Sequence, residues 1–226
     1  AENGVQSPSS SPLVDQLDTL SRPELRRRQK LAEDILYQSG NTFNVYGDKK
    51  GAEKILPFDI IPRVVSAADW ATLERGIKQR ITALNLFIGD MHHRQLALRD
   101  GVVPRELIES SKGYLRACAG LKPPRGVWCH VTGTDLVRDR DGAFYVLEDN
   151  LLVPSGVSYV LENRAISKRV FADLFAQQSI LPVDSYTDEL NRMLVSIAPD
   201  GISNPTIAVL TPGIYNSAYF EHSYLA

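Results

Sequence analysis

Two carboxylates and one carboxamide, Asp135, Glu148 and Asn150, lie in the stretch Trp128 to Asn150 at spacings that can gather oxygen ligands. The stretch reads as two β-rich runs joined by a tight turn, Asp139-Arg140-Asp141-Gly142, with a Gly after acidic residues. If Asp139 pairs with Gly142, Arg138 faces Ala143 and Asp135 faces Val146. Facing residues of an antiparallel ladder share a face, as do residues two apart along one strand. Asp135, Glu148 and Asn150 then point the same way, with Asp135 and Glu148 as diagonal neighbours roughly 7–8 Å apart at the backbone. Two carboxylates and a neutral amide oxygen suit Mg²⁺, a hard ion that takes oxygen ligands, keeps some waters and bridges to phosphates. Taken alone, an Asp near a turn and a Glu at a strand end are ordinarily solvated. Three oxygen ligands on one face argue otherwise, in two runs rich in apolar residues: Leu136, Val137, Phe144, Tyr145, Val146 and Leu147.

The chain beyond Asn150 offers an anion seat. Val153-Pro154-Ser155-Gly156 leads into a helical pattern carried by Val157, Val160, Leu161, Val170, Phe171 and Leu174. Ser155 is the expected N-cap. The amides of Gly156 and Val157 then point back toward the strand ends, and the positive end of a helix beside a Mg²⁺ site attracts an anion. An ordinary capped helix is the plainer alternative. Arg164, two turns in, is a candidate second anion contact, while Lys168 and Arg169 look solvated.

Other elements must hold these groups in place. Residues 1–20, with Ser and Pro clustered from Ser7 to Pro12, are expected to be a disordered lead-in. Ser21-Arg-Pro-Glu24 is a capping-box start for a helix to about Gln38. Its Arg26-Arg27-Arg28 run reads as a solvated face. Thr42 to Tyr46 reads as a short strand, and Gly47 to Gly51, with Asp48, Lys49 and Lys50, as a polar loop. Ser66 to about Met91 is the strongest helix, with Trp70, Leu73, Ile77, Ile81, Leu84 and Ile88 in one packing stripe. The His92-His93 pair at its end is a poor metal pair, because adjacent helical residues do not face each other. Two short helices follow, Arg105 to Ser110 and Gly113 to Ala119. A connecting helix from about Ser185 to Ile197 precedes a buried β run, Pro205 to Leu210. Thr211-Pro-Gly213 then breaks the chain, and a helix starts at Asn216: a strand–turn–helix unit of the kind that opens a parallel α/β layer. The chain stops inside this helix without a Gly or a cap, as expected of a piece of something longer.

Composition narrows the function. The net charge of −2 over 226 residues gives no electrostatic footprint for nucleic acid or anionic membrane. No apolar run approaches the ~20 residues of a membrane helix, and no signal peptide is visible. Cys118 and Cys129, without metal spacing, read as packed, reduced thiols of a cytoplasmic protein.

Several segments carry a resemblance: Leu147-Glu-Asp-Asn150 followed by Val153 to Arg164, together with Val45 to Asp48, Pro57 to Arg63 and Leu210 to His222. In this order they resemble the circularly permuted ATP-grasp family, whose members are related to the ATP-grasp half of glutathionylspermidine synthase. The resemblance covers nearly everything after about residue 40. It implies an α+β / α/β fold: an antiparallel-sheet ATP-grasp half packed with helices over 21–200, then the start of a Rossmann-like (preATP-grasp) layer over 201–226. It implies ATP and Mg²⁺ as cofactors, with Asp135, Glu148 and Asn150 holding the metal against the nucleotide phosphates. Ser155 and Gly156 would lie on the phosphate or acyl-substrate side, with Arg164 as a catalytic anion contact. The implied activity is that of an ATP-dependent carboxylate–amine ligase acting through an acyl phosphate. Small-molecule or peptide carboxylates and amines would be its substrates, without nucleic acid or membrane, and a homo-oligomer is compatible. One departure stands out: Arg often follows Glu-Asp-Asn-Leu in the family pattern, whereas this chain has Leu152. That departure favours the alternative, a catalytically decayed nucleotide-binding or protein-assembly module of the same fold.

Overall fold

A computed structural model describes residues 10–44, 53–55, 57–152, 154–216 and 218–226, with the backbone alone for 42–44 and 53–55. The Val45–Asp48 motif, Lys49, Lys50 and Val153 lie outside the described residues, as do residues 1–9 of the expected lead-in. Contacts divide the chain into two compact units: Ala1–Val65 with Ser155–Ala226, and Ser66–Pro154.

In the first unit, Ser21 accepts the Glu24 N–H at 3.3 Å and starts helix α2, Arg22–Gln38, as the capping box predicts. Helix α1, Ser11–Asp18, precedes it. Its order corrects the expected disorder of 10–20: Leu13 and Leu17 stand four apart on one helical face, and both pack into the core. Helices α6 (Val157–Val170), α7 (Ala172–Gln177), α8 (Tyr186–Ser196) and α9 (Tyr219–Leu225) are the other helices among the described residues of this unit. Leu36, Ile166 and Phe171, all fully buried, centre the core. Arg28 is not the solvated residue its charge run suggested. Its guanidinium donates to the Val170 carbonyl at 2.7 Å, lies over the Phe171 ring and pairs with Glu24. Hydrogen bonds from Arg27 and then Arg28 pull the Glu24 carboxyl down to about 2. Strands β1 (Thr42–Asn44) and β2 (Glu53–Ile55) pair antiparallel; the second was not foreseen.

The run 205–210 forms no strand among the described residues, and Leu210 is 91% exposed rather than buried. A β-branched run becomes a strand only where another backbone pairs with it, and no described residue does so here. The Rossmann-like layer is therefore not formed by the described residues.

In the second unit, Ser66 accepts the Asp69 N–H at 3.1 Å and caps helix α3, Ala67–His92. Of its apolar stripe only Leu73 is buried, and Trp70 is 47% exposed. Asp90 turns the chain beyond α3. Its carboxylate accepts the N–H groups of Ala97 and Leu96, both at 2.9 Å, which starts helix α4 (Leu96–Arg99) and holds the carboxyl below its usual range. Helix α5 spans Arg105–Glu109, and the second expected short helix reduces to a 3-10 turn at Arg116–Cys118. Strands β3 (Gly133–Arg138) and β4 (Phe144–Asn150) form an antiparallel hairpin. Helices around small two-stranded antiparallel sheets make the fold α+β. No described helix is long and apolar enough to cross a membrane.

Candidate functional site

The hairpin is pinned at its turn and at its entry. The Asp139 N–H donates to Ala143 O at 2.8 Å, the Gly142 N–H returns to Asp139 O at 3.0 Å, and Gly142 takes the left-handed φ of 86°. Arg138 lies over the Phe144 ring and reaches Asp69 of α3 at 3.2 Å. At the entry, Asn85 Oδ1 on α3 accepts the N–H groups of Trp128 and Cys129 at 2.8 and 3.0 Å. Burial pushes the Cys129 thiol up, away from the thiolate a nucleophile needs.

The register differs from the expected one at two points. Arg138 pairs with Phe144 rather than Ala143, so the loop is one residue longer. Leu136 then pairs with Val146 but Asp135 with Glu148, which leaves Leu147 as the extra residue of a β-bulge. The two single-residue shifts add to two, the period of a strand, and so restore the face. Asp135 stands directly opposite Glu148, and Gly133 opposite Asn150. Directly opposed residues have Cβ atoms about 4.5–5.5 Å apart, closer than the diagonal relation expected. All three candidate ligands are exposed on this face. Asn150 Nδ2 donates to Glu148 Oε1 at 3.2 Å, and its amide oxygen accepts from no described residue. A Cβ on Gly133 would meet Pro154 Cβ at 3.1 Å and Cγ at 3.2 Å, so the missing side chain lets the proline close over this end of the hairpin.

Asp149 points the other way. Its carboxylate, 7% exposed, accepts from Arg80 Nε of α3 at 2.5 Å and from Thr134 Oγ1 at 2.9 Å. The three consecutive polar residues thus divide by parity: Glu148 and Asn150 stay open, while Asp149 binds the hairpin to α3. The same alternation in the sequence was a signal for Asp149.

Ser155, Gly156 and Arg164 belong to the other unit, and there the expected anion seat is already filled. Gly156, not Ser155, is the N-cap of α6, with φ 110°, and no side-chain cap comes from the residue itself. The carboxylate of Glu221 on α9 takes that place. It accepts the Gly156 N–H at 2.8 and 2.7 Å, the Ser158 N–H at 3.0 Å and the Ser158 hydroxyl at 2.7 Å. This internal acid satisfies Gly156, one of the two amides expected to meet phosphate, and takes Ser158 rather than Val157 as its second backbone donor. Tyr159 and Tyr186 are raised by burial and then by the charge of Glu221. Arg164 is likewise engaged elsewhere: Nη1 donates to the Leu181 carbonyl at 2.7 Å, and the guanidinium lies 5.8 Å from the Phe175 ring centre. Glu221 had no signal in local spacing.

Among the described residues no group of three or more His, Cys, Asp or Glu side chains could hold a metal. The hairpin set, two carboxylates and an amide, fits a hard cation that completes its shell with water or phosphate oxygens; it does not fit a closed tetrahedral site. A family model described as circularly permuted ATP-grasp type 2 matches residues 62–226. An uncharacterized protein of Synechocystis sp. is 52% identical over 223 residues, 99% of this chain and 46% of its own length. An uncharacterized protein of Mycobacterium tuberculosis is 48% identical over 203 residues, 90% of this chain and 36% of its own length. A Frankia alni protein with the provisional name glutamate--cysteine ligase 2-3 is 38% identical over 227 residues, 100% of this chain and 26% of its own length. The chain spans less than half the length of these relatives.

Proposed function

The chain belongs to the circularly permuted ATP-grasp family, type 2, and from that premise we propose that it carries the metal-holding face of an ATP-dependent carboxylate–amine ligase. The reaction would move the terminal phosphoryl group of ATP onto a carboxylate. An amine would then attack the acyl phosphate, forming an amide and releasing phosphate. The direct pairing of Asp135 with Glu148 on an open face, with Asn150 two residues on, supports this reading. Asp135, Glu148 and the Asn150 amide oxygen would hold Mg²⁺. When bound, the ion supplies positive charge against the phosphate oxygens. The hairpin would contribute placement: strand pairing sets the backbone positions from which the two carboxylates project on one face. The Frankia alni name is in keeping with amide formation from a small carboxylate and a small amine.

Mg·ATP titration with thermal unfolding as the readout tests the proposal, because a ligand that binds the folded state raises its stability. The wild-type protein should be stabilised, and Glu148→Gln and Asp135→Asn should lose most of that shift while keeping their unliganded stability. One observation favours a second reading, a nucleotide-binding or assembly module that has lost the chemistry. Leu152, directly after the motif, is 93% exposed and brings no charge to a phosphate. Equal shifts in wild type and variants would favour that module.

A further inference from the structure

The turn after α3, helices α4 and α5 and the segment from Tyr114 to Ala119 line an open cleft of about 340 Å³ within the second unit. Small-molecule sites are typically about 300–1,000 Å³. None of the hairpin ligands lines it. Arg105, Arg116 and Glu109 put two guanidinium groups and one carboxylate on its wall, and Leu98 and Ile108 give it an apolar patch.

Its polar groups are loosely satisfied. Arg105 Nη1 is 3.4 Å from Gln95 Oε1 and 3.5 Å from Glu109 Oε1, beyond the usual ~2.9–3.0 Å of such bonds. The Arg116 guanidinium makes no hydrogen bond or ion pair with a described residue. Gln95 Nε2 reaches the Tyr114 hydroxyl at 3.3 Å. Gln95 itself sits in the left-handed region, φ 53° and ψ 41°, where a residue with a Cβ is strained and glycine is not. Its N–H donates to Asp90 O at 2.8 Å, which holds that conformation and sets the glutamine at the cleft wall.

We propose that this cleft binds a small ligand with the paired charges of an amino acid. The carboxylate lies between Arg105 and Arg116, where two forked cations match its two oxygens. The ammonium faces Glu109, and the aliphatic part covers Leu98 and Ile108. The surplus of one positive charge among the three ionised groups on the wall ranks the carboxylate above the ammonium as the stronger anchor. The site does not depend on the ligase reading, since it shares no residue with the hairpin face.

Methyl NMR of the whole chain tests it with L-leucine, leucinamide, 4-methylpentanoate and inorganic phosphate as probes. L-leucine should shift the Leu98 and Ile108 methyl signals saturably. Leucinamide, without the carboxylate, should bind about tenfold more weakly or less, and 4-methylpentanoate, without the ammonium, between the two; a charge-assisted hydrogen bond is of that size. Arg116→Gln removes an exposed side chain that has no partner among the described residues, so the fold persists, and L-leucine affinity should fall about tenfold. The proposal is overturned if the methyl signals do not saturate, or if leucinamide binds as well as L-leucine. It is equally overturned if Arg116→Gln leaves affinity unchanged, or if phosphate binds more tightly than L-leucine.

Discussion

Glu221 Oε2 accepts both the backbone N–H and the hydroxyl of Ser158, at 3.0 and 2.7 Å. With 6% of its surface exposed, this carboxylate has little water to fall back on. It meets the unpaired donors at the start of α6, so each group satisfies a need of the other. Glu221→Ala should cost about 3 kcal/mol, because several donors lose their acceptor at once. Glu221→Gln should cost roughly 1–2 kcal/mol, since an amide keeps one acceptor oxygen but turns an NH₂ toward N–H groups. Ser158→Ala should cost about 1 kcal/mol. Urea unfolding measures all three. A loss near zero for Glu221→Ala would show that water caps the helix as well as the acid does.

Leu147 is the spare residue of the hairpin, and its side chain is exposed. Deleting it leaves Val146 opposite Leu136 and Glu148 opposite Asp135 in a regular ladder, so both carboxylates stay on one face. Mg·ATP stabilisation, where the wild type shows it, should therefore survive the deletion with less than about a threefold change in affinity, or ~0.6 kcal/mol. A tenfold loss would mean that the bulge aims Glu148 in a way simple pairing does not.

Where sequence and structure agree, the cause is local. Ser21 precedes Glu24 by three and caps as that spacing predicts, and the helix expected from Ser66 begins there. The common face of Asp135, Glu148 and Asn150 follows from the strand period of two, although the pairing behind it was misread. A longer loop and a bulge cancel, and neither has a signature in Asp139 to Leu147. What was missed is long-range. Glu221 meets Ser158 across 63 residues and Arg28 meets Val170 across 142; a charge run or a helix start cannot show which distant group will reach it. Ser155 fits every N-cap preference, yet Gly156 takes the position, because an acid from another helix supplies the cap.

Asp149 and Arg80 join the hairpin to α3, with the acid nearly buried and the arginine half exposed. Asp149→Asn should cost about 1–2 kcal/mol, since Thr134 and Arg80 both lose a charged acceptor. The double-mutant cycle with Arg80→Ala should give a coupling of about 1 kcal/mol, modest because one partner faces water. Cation binding at the opposite face should persist in Asp149→Asn wherever the wild type shows it. If Asp149→Asn abolishes Mg·ATP stabilisation but leaves unfolding unchanged, Asp149 belongs with the metal ligands and not with the scaffold.

His92 stacks between Tyr114 and Trp128, with ring centroids 5.1 and 4.8 Å away. Its Nδ1 is buried without a hydrogen-bond partner. Burial, and then the charge of neighbouring His93, holds the His92 imidazole below its ordinary value of 6.5. The unfolded chain then takes up a proton at a higher pH than the native state does. Stability is full above pH 6.5 and declines as the pH falls toward the lowered native value. His92→Phe keeps an aromatic ring in the stack and removes the titration. Its unfolding midpoint in urea should stay flat relative to wild type above pH 7 and gain on it between about pH 6.5 and 5. Parallel pH curves for the two proteins would show that His92 is equally easy to protonate folded and unfolded, with the stack no barrier to water.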